Sequence, residues 1–427
     1  MATRQGRFRS RPRNKGNAMR ILIAVVLLMP LTAPLYAEPL SFDAALDRAA
    51  RHAPELQGSE AGVAAAQSAA IAADRLPDPK LDLAVKDFPV TGPDAGRLNR
   101  DNFTMQVVGI SQEFINPAKR RARAARAQAD IGIAQADQAL EIQNVALGTA
   151  LAWIDLHYAK RRLSQLDLLD ESLDDLQSTV TARLASRSAR PAQALEPAQL
   201  RAAIADRRSA LAAEVARARA TLVRFTGDPL ADVQGEPPPS TIDGDKLKAG
   251  LASLPRLRAF DAQIVAADAE TQLARADKRP DWTVSGAYGR REPNYGDLVT
   301  LGVTVDLPLF PKRRQEPKIA ARASEASRAR FARMAVEREI VAALSSDLAD
   351  HRMHHQQLDN ARKTLVPLAR QRAQLDLDSY AAGNLDLGTA LLSTLALVEA
   401  EVDALAREAD VARDAIRIQF TYGDTQP

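Results

Sequence analysis

The stretch Gly109–Ala127, GISQEFINPAKRRARAARA, changes character at Pro117. Before the proline it continues an alternating segment that begins NFTMQVV, which is typical of a β-strand, and after it Ala and Arg run on as in a helix. The stretch Gly302–Ala323, GVTVDLPLFPKRRQEPKIAARA, makes the same change at Pro311, again with a basic triplet after the proline. At two places, therefore, the sequence predicts a strand that passes directly into a helix.

The similarity between the two halves extends beyond these junctions. PELQGSEAGVAAAQSAAIAADRLPDPKL from Pro54 aligns without a gap on PRLRAFDAQIVAADAETQLARADKRPDW from Pro255, and the endings LVRFTGDP and IQFTYGD also match. A Pro-rich segment, VQGEPPPSTIDGDK, separates the halves. We predict a duplicated unit, with a first repeat at 38–232, a linker at 233–246 and a second repeat at 247–427.

Each repeat contains one very long helix, predicted at about 118–185 and about 317–382. The first would span roughly 100 Å at 1.5 Å per residue, which exceeds a compact domain. Leucines recur along it at spacings of three and four, as in the seam of a coiled coil. In the second helix Leu358, Ala361, Leu365, Leu368, Arg372 and Leu375 keep this spacing, and Pro367 is expected to bend the rod.

Four alternating segments precede the long helices, at about 80–88, 102–114, 281–290 and 297–307. Their length is about that of a tilted membrane strand, although a soluble, half-buried sheet has the same period. Four strands cannot close a barrel, because single-chain membrane barrels begin at about eight strands and lipid tolerates no open edge. If these strands lie in a membrane, neighbouring copies must share the barrel, and a conducting barrel requires about three copies.

The first 37 residues resemble a secretory leader, with seven basic residues and no acidic one, then the apolar run ILIAVVLLMPL and LYA before Glu38. Without residues 1–37, 50 of the 57 Lys and Arg residues remain against 54 Asp and Glu, so the mature net charge is −4. This balance gives no argument for nucleic acid binding. The chain has no cysteine, which excludes disulfides and thiolate metal sites.

The sequence resembles the outer-membrane efflux proteins of the TolC family over essentially the whole mature chain. The most specific words are DSYAAGNLDLGTALLSTLALVEAE from Asp378, RLPDPKLDL, and TMQVVGISQEF, and the last two look most like the heavy-metal efflux branch. The resemblance implies a mostly α fold with a small membrane β part, assembled as a homotrimer with a shared twelve-stranded barrel in the outer membrane and a helical tunnel in the periplasm.

The resemblance also implies a function. The protein would be a passive exit duct without enzymatic activity or cofactor, and its partners would be a periplasmic adaptor (membrane fusion protein), an inner-membrane resistance-nodulation-division pump and outer-membrane lipid. Heavy-metal cations would be the substrate. Three alternatives stay open: a drug or protein export duct of the same family, a soluble periplasmic coiled-coil scaffold or adaptor, and a metal-dependent enzyme.

The breaks between the long and final helices are the predicted tips. Gly383 and Asn384 enter a left-handed turn readily, which predicts a helical hairpin there. The family resemblance implies that the tips contact the adaptor. The predicted contact residues are Ser186, Arg187, Gly383, Asn384 and Leu385.

Three further groups of charged or metal-binding side chains are candidate sites. Asp376, Asp378 and Asp386 crowd the second tip, where rings of carboxylates would attract cations; ordinary solvated helix charges are the alternative. His351, His354 and His355 share one helical face and the spacing of a transition-metal site; a solvated face is the alternative. Six basic residues at the strand-to-helix corners could meet lipid phosphates or only aid solubility: Lys119, Arg120, Arg121, Lys312, Arg313 and Arg314.

Overall fold

The computed structural model describes residues 39–98, 100–185, 195–229 and 231–423. The predicted leader at 1–37 lies outside these ranges, as do the tip residues Ser186 and Arg187. The elements in chain order are α1 (Phe42–His52), α2 (Pro54–Ala72), β1 (Lys80–Lys86), β2 (Met105–Phe114), α3 (Pro117–Ala185), α4 (Glu196–Thr226), α5 (Gly244–Gly250), α6 (Pro255–Ala276), β3 (Trp282–Arg290), β4 (Leu298–Val305), α7 (Gln315–Asn360), α8 (Val366–Ala381) and α9 (Leu387–Tyr422). The fold is mostly helical with a small sheet, as predicted.

The first long helix, α3, has 69 residues and no interruption. It begins where the sequence analysis placed the corner, because Pro117 suits the first turn and the Asn116 side chain accepts a hydrogen bond from the Lys119 backbone N–H at 2.8 Å. Ala, Arg, Leu and Gln, all strong helix formers, fill most of its length. None of the helices in the described ranges is long and apolar enough to cross a bilayer.

The sheet continues a layer of helices. Its four strands are antiparallel in the order β1-β2-β3-β4. In this layer, at the end of the sheet where strands and helices join, α2 packs on α3, α3 on α6 and α6 on α7. Each of these helices joins the strand above it, with β1 following α2, β2 preceding α3, β3 following α6 and β4 preceding α7. The strand order and the helix order are therefore the same, and the two repeats meet at β2–β3 and at α3–α6.

The second long helix is not one uninterrupted rod. A π-helical turn, Ala361–Leu365, separates α7 from α8, directly before Pro367. Proline cannot donate to the carbonyl four residues back and its ring collides with it, and a wider turn relieves both problems. The predicted bend is thus a π-turn.

This turn shifts the face of the helix that is buried. Leu358 and Ala361 are buried as predicted, but Leu365, Leu368 and Leu375 are exposed. Instead, the positions one residue further along, Val366, Ala369, Ala373, Asp376 and Tyr380, are buried or half-buried. The predicted seam is wrong beyond the turn, because the additional residue in a π-turn rotates everything after it by one position.

The main core lies where α1, α3, α4 and α9 meet. Trp153 of α3 is fully buried, and its indole Nε1 donates to the Leu40 carbonyl at 2.9 Å. Leu40 in turn forms a parallel bridge with Val233, and the Phe42 ring meets the Trp153 ring edge-on with centroids 5.6 Å apart. The start of the first repeat and the start of the linker are therefore fastened to the middle of the long helix.

Phe225, in the repeated ending of the first unit, packs on α3 at Gly148. A Cβ atom at Gly148 would collide with Cζ of Phe225, because it would lie closer than real side-chain atoms approach. Phe225 is buried with Ala49, Ala53 and Val145. Glycine at 148 is thus required by the close approach of the ring.

Substituting Gly148→Ala should lower the free energy of unfolding by about 1–3 kcal/mol, since the ring must move out of a packed cluster. The matched control is Gly132→Ala in the same helix, where a Cβ meets nothing within 4 Å. That change should stabilise the protein by about 0.5–1 kcal/mol through helix propensity. Thermal unfolding of the purified variants measures both effects, and equal midpoints for the two would contradict the packing argument.

Candidate functional site: a two-faced sheet, a helical tip and two corners

One face of the sheet is apolar and exposed. The register places Leu81 opposite Ile110, Ile110 opposite Gly286 and Gly286 opposite Leu301, so the alternate residues of all four strands share this face. Leu301 is 83% exposed. The exposed apolar side chains on this face are Leu81, Leu83, Val85, Val108, Ile110, Phe114, Trp282, Val284, Tyr288, Val299, Leu301 and Val303. A continuous apolar surface of this kind marks a site of contact with lipid or protein.

The opposite face is polar or small over most of its length. The Ser111 hydroxyl donates to the Asp82 carboxylate at 3.2 Å across β1 and β2. Along β3 and β4 this face carries Thr283, Ser285, Ala287, Thr300, Gly302 and Thr304, with Gly289 and the apolar Leu298 at its loop end. Because side chains alternate along a strand, the two faces are separated residue by residue, with Leu81, Leu83 and Val85 on one face of β1 and Asp82, Ala84 and Lys86 on the other.

Aromatic side chains lie at both margins of the apolar face. Phe114 and Trp282 are paired neighbours at the helix end of the sheet. Phe103, Tyr288 and Tyr295 are exposed at the loop end. Two such bands are typical of strands that span a membrane. These bands were not predicted from the sequence. Because aromatics are only 4% of the chain, their positions at the ends of the alternating segments could have indicated them.

The predicted second tip is a helical hairpin closed by a Schellman motif. Gly383 has φ +80°, its N–H donates to the Tyr380 carbonyl at 3.0 Å, and the Asn384 N–H donates to the Ser379 carbonyl at 2.9 Å. Leu385 is half-buried against a cluster that contains Leu387 and Leu391. Gly383 and Asn384 are exposed. The turn therefore presents its backbone outward while Leu385 anchors it.

The three carboxylates predicted at this tip have different local roles. Asp386 caps α9, accepting from the Thr389 N–H at 3.0 Å and from the Thr389 hydroxyl at 2.7 Å, and these hydrogen bonds lower its pKa. Asp378 accepts from the Gln374 side chain at 3.1 Å. Asp376 is half-buried, with Oδ2 3.6 Å from Nε of Arg372. Each is thus tied into its own helix.

Sequence reasoning missed Glu196, the first residue of α4, at the same tip. Its carboxylate lies 3.4 Å from where a Cβ on Gly388 would stand, in the first turn of α9. Partial burial and the negative charge of Asp386 raise the pKa of Glu196. The structure therefore brings an acidic residue of the first repeat to the acidic tip of the second.

The metal site predicted at the three histidines is wrong. His354 Nδ1 is 2.6 Å from a carboxylate oxygen of buried Asp414, while His351 Nε2 is 3.1 Å from the Ser240 carbonyl. The His355 ring meets the His351 ring edge-on. Burial, followed by the nearby His355, lowers the pKa of His351. Among the described residues no group of three or more His, Asp or Glu side chains is arranged to hold a metal ion, because these rings turn to different partners.

The two basic corners differ. At the first, Lys119 Nζ lies 3.0 Å from Asp281 and 3.3 Å from Asp277. Asp281 also accepts from the Asn116 side chain at 2.9 Å. Burial acts to lower the pKa of Lys119, but its hydrogen bond to Asp281 and the two negative charges outweigh this and raise it. Lys119 therefore joins the two repeats and is not a free surface cation.

The remaining corner residues divide in the same way. Arg120 donates to the Asp74 carbonyl at 2.7 Å and Arg121 to the Pro117 carbonyl at 3.3 Å. Lys312, Arg313 and Arg314 are exposed, and within the described ranges no ion pair or side-chain hydrogen bond engages them. The second corner alone presents a free basic cluster.

No protein-family model matches this chain, and no curated protein sequence matches it. Its fold is similar to those of solved outer-membrane channels. CmeC of Campylobacter jejuni, an outer membrane channel, is 12% identical, with 90% of this chain and 85% of that one covered and a TM-score of 0.72. CusC, whose structures concern folding and transmembrane channel formation, is 13% identical, with 90% of this chain and 92% of that one covered and a TM-score of 0.73. VceC, an outer membrane protein of Vibrio cholerae, is 14% identical, with 90% of this chain and 96% of that one covered and a TM-score of 0.71. At these identities the similarity establishes the fold.

Substituting Glu196→Gln should raise the thermal stability at neutral pH. Because the folded-state pKa of Glu196 is raised, the free energy of unfolding falls as the pH rises from about 4.3 through the folded pKa, and the loss persists at neutral pH. The gain of the variant should shrink toward pH 4, where Glu196 is mostly protonated in both states. Glu399→Gln, at an exposed glutamate of α9, is the control. Unfolding midpoints between pH 4 and 8 test this, and a gain independent of pH would contradict it.

Proposed function

We propose that this chain is a subunit of an outer-membrane channel of the TolC family, the passive exit duct of a tripartite efflux system. The apolar, exposed face of the sheet carries the proposal, since a soluble protein would leave that face in water at a large cost in free energy. The aromatic margins support it, and so does the similarity of fold to solved outer-membrane channels. The proposed location is the outer membrane, with the helices in the periplasm.

In this proposal the channel is a homotrimer. The sheet is open, with β1 and β4 as its edges, and each edge strand leaves a row of backbone groups without a strand partner in the described chain. Lipid cannot satisfy these groups, so β4 of one copy pairs with β1 of the next. Three copies give a barrel of about twelve strands, wide enough for a lumen. The polar face of the sheet then lines this lumen.

The tip is the proposed contact for a periplasmic adaptor, which joins the duct to an inner-membrane resistance-nodulation-division pump. The exposed backbone at Gly383 and Asn384, fixed by the Schellman motif, supports this role. Ser186 and Arg187 are proposed as the corresponding tip of the first repeat. Heavy-metal cations are the proposed substrate class, supported by the carboxylates at the second tip. A drug or protein export duct of the same architecture is the second candidate.

Substituting Leu301→Lys should prevent membrane assembly, because a lysine on the lipid face costs about 2–4 kcal/mol near the bilayer midplane. Thr300→Lys, at the adjacent residue on the opposite face, is the control and should assemble. Outer-membrane fractions analysed for a heat-modifiable trimer distinguish the two. If Leu301→Lys yields as much trimer as the parent protein, the face is not in lipid and the membrane proposal fails.

Substituting Gly383→Val should abolish export while trimers still assemble, because a β-branched residue is strained at φ +80° and the tip would change shape. Ala382→Val, at the preceding exposed residue with φ −74°, is the control. Export is measured as the tolerance of cells that depend on this duct to metal salts and to drugs. Undiminished tolerance with Gly383→Val would remove the tip from the adaptor contact, and the compounds tolerated identify the substrate class.

A further inference from the structure

The duplicated corners of the chain have diverged in their electrostatics. At the first corner, Lys119 forms ion pairs with Asp277 and Asp281, and the two arginines donate hydrogen bonds to backbone carbonyls. The second corner has PKRR where the first has PAKRR, and within the described ranges no carboxylate forms an ion pair with its three basic side chains. Lys278 and Glu316, 3.5 Å apart, pair beside it and leave the triplet unengaged. The first corner therefore joins the two repeats through Lys119, and the second corner presents a cationic surface.

A cavity of about 430 Å³ lies beside this second corner, between the end of α6, the end of β4 and the start of α7. Its lining includes Arg279, Arg314 and Lys318, and across the described ranges none of the three forms an ion pair or a side-chain hydrogen bond. Lys119, Asp277 and Asp281 also line it but are paired with one another, and Asp306 is its remaining carboxylate. The lining therefore carries four cations and three carboxylates, a net charge of +1.

Exposed apolar side chains adjoin the same corner. Leu307, Leu309 and Phe310 are 63%, 69% and 62% exposed, in the segment that leads from β4 into the basic triplet. The backbone of this segment is fixed, since the Arg313 and Arg314 N–H groups both donate to the Phe310 carbonyl at 3.1 Å. Leu307 also lines the cavity. A fixed apolar surface thus runs directly into a cationic one at the helix end of the apolar face.

We infer that the second corner binds the headgroup of an anionic phospholipid, one in each subunit. The phosphate would lie against Arg313, Arg314 and the cavity cations Arg279 and Lys318, while the acyl chains would lie along Leu307, Leu309 and Phe310. Juxtamembrane basic clusters attract anionic lipids, and arginine forms charge-assisted, bidentate hydrogen bonds with phosphate. The inference rests on the proposed function, since only a protein placed in a membrane meets such a lipid.

The test compares two variants that remove equal charge. Arg313→Gln/Arg314→Gln neutralises the second corner, and Arg120→Gln/Arg121→Gln neutralises two arginines at the first. Each purified, detergent-solubilised trimer is titrated with short-chain phosphatidylglycerol or phosphatidylcholine, and bound lipid is counted by native mass spectrometry. We expect the parent protein and the first-corner variant to prefer phosphatidylglycerol, and the second-corner variant to bind it on the order of tenfold more weakly. Arg313→Lys/Arg314→Lys, which keeps the charge, should restore most of the binding.

Four results would overturn the inference. They are an equal loss in both corner variants, no preference for phosphatidylglycerol in the parent trimer, displacement of the lipid by millimolar inorganic phosphate, which would indicate a free-phosphate site, and loss of the trimer only in the second-corner variant. The last would make the triplet a contact between subunits. Failure of the proposed function looks different, because the parent protein would then be absent from outer-membrane fractions.

Discussion

The sheet sets two conditions that a single copy of the chain cannot meet. Its apolar face has no cover among the described residues, so water is an unfavourable surrounding for it. Its two edges, β1 and β4, expose backbone N–H and C=O groups, so lipid is equally unfavourable for them. In the proposed assembly, lipid covers the apolar face and a neighbouring copy pairs with the edge strands. Because the two edges are different surfaces, the proposed contact is head to tail, and it gives a ring when the rotation between copies closes.

The helices obey the same requirement. The layer α2–α3–α6–α7 has α2 and α7 at its outer positions, directly below the open edges of the sheet. No residue of α2 is buried, and α7 exposes Phe331, Met334 and Val341. A ring that joins β4 to β1 would also bring α7 against the small, Ala-rich surface of a neighbouring α2. Closure of the sheet and closure of the helical layer are therefore one geometric event.

Local patterns were readable from the sequence, and distant partners were not. The strands begin and end within about three residues of the predicted positions, because alternation and the corner prolines are local signals. The seam after Ala361 was wrong by one residue, since a π-turn leaves no mark in hydrophobic spacing. Lys119 and His354 were misread because their partners, Asp281 and Asp414, are brought to them only by the fold. Glu196 was missed for the same reason.

The two repeats have similar backbones, but their charged side chains play different roles at corresponding positions. At the tips, Asp386 caps α9, whereas α4 begins without a side-chain cap and directs Glu196 toward the start of α9. Two carboxylates near two helix N-termini gain from the helix dipoles but repel each other; burial, followed by the charge of Asp386, raises the pKa of Glu196. In a trimer the pair would recur three times around one opening. In the proposed trimer a cation would reduce this repulsion, so such a tip would favour the passage of cations over anions.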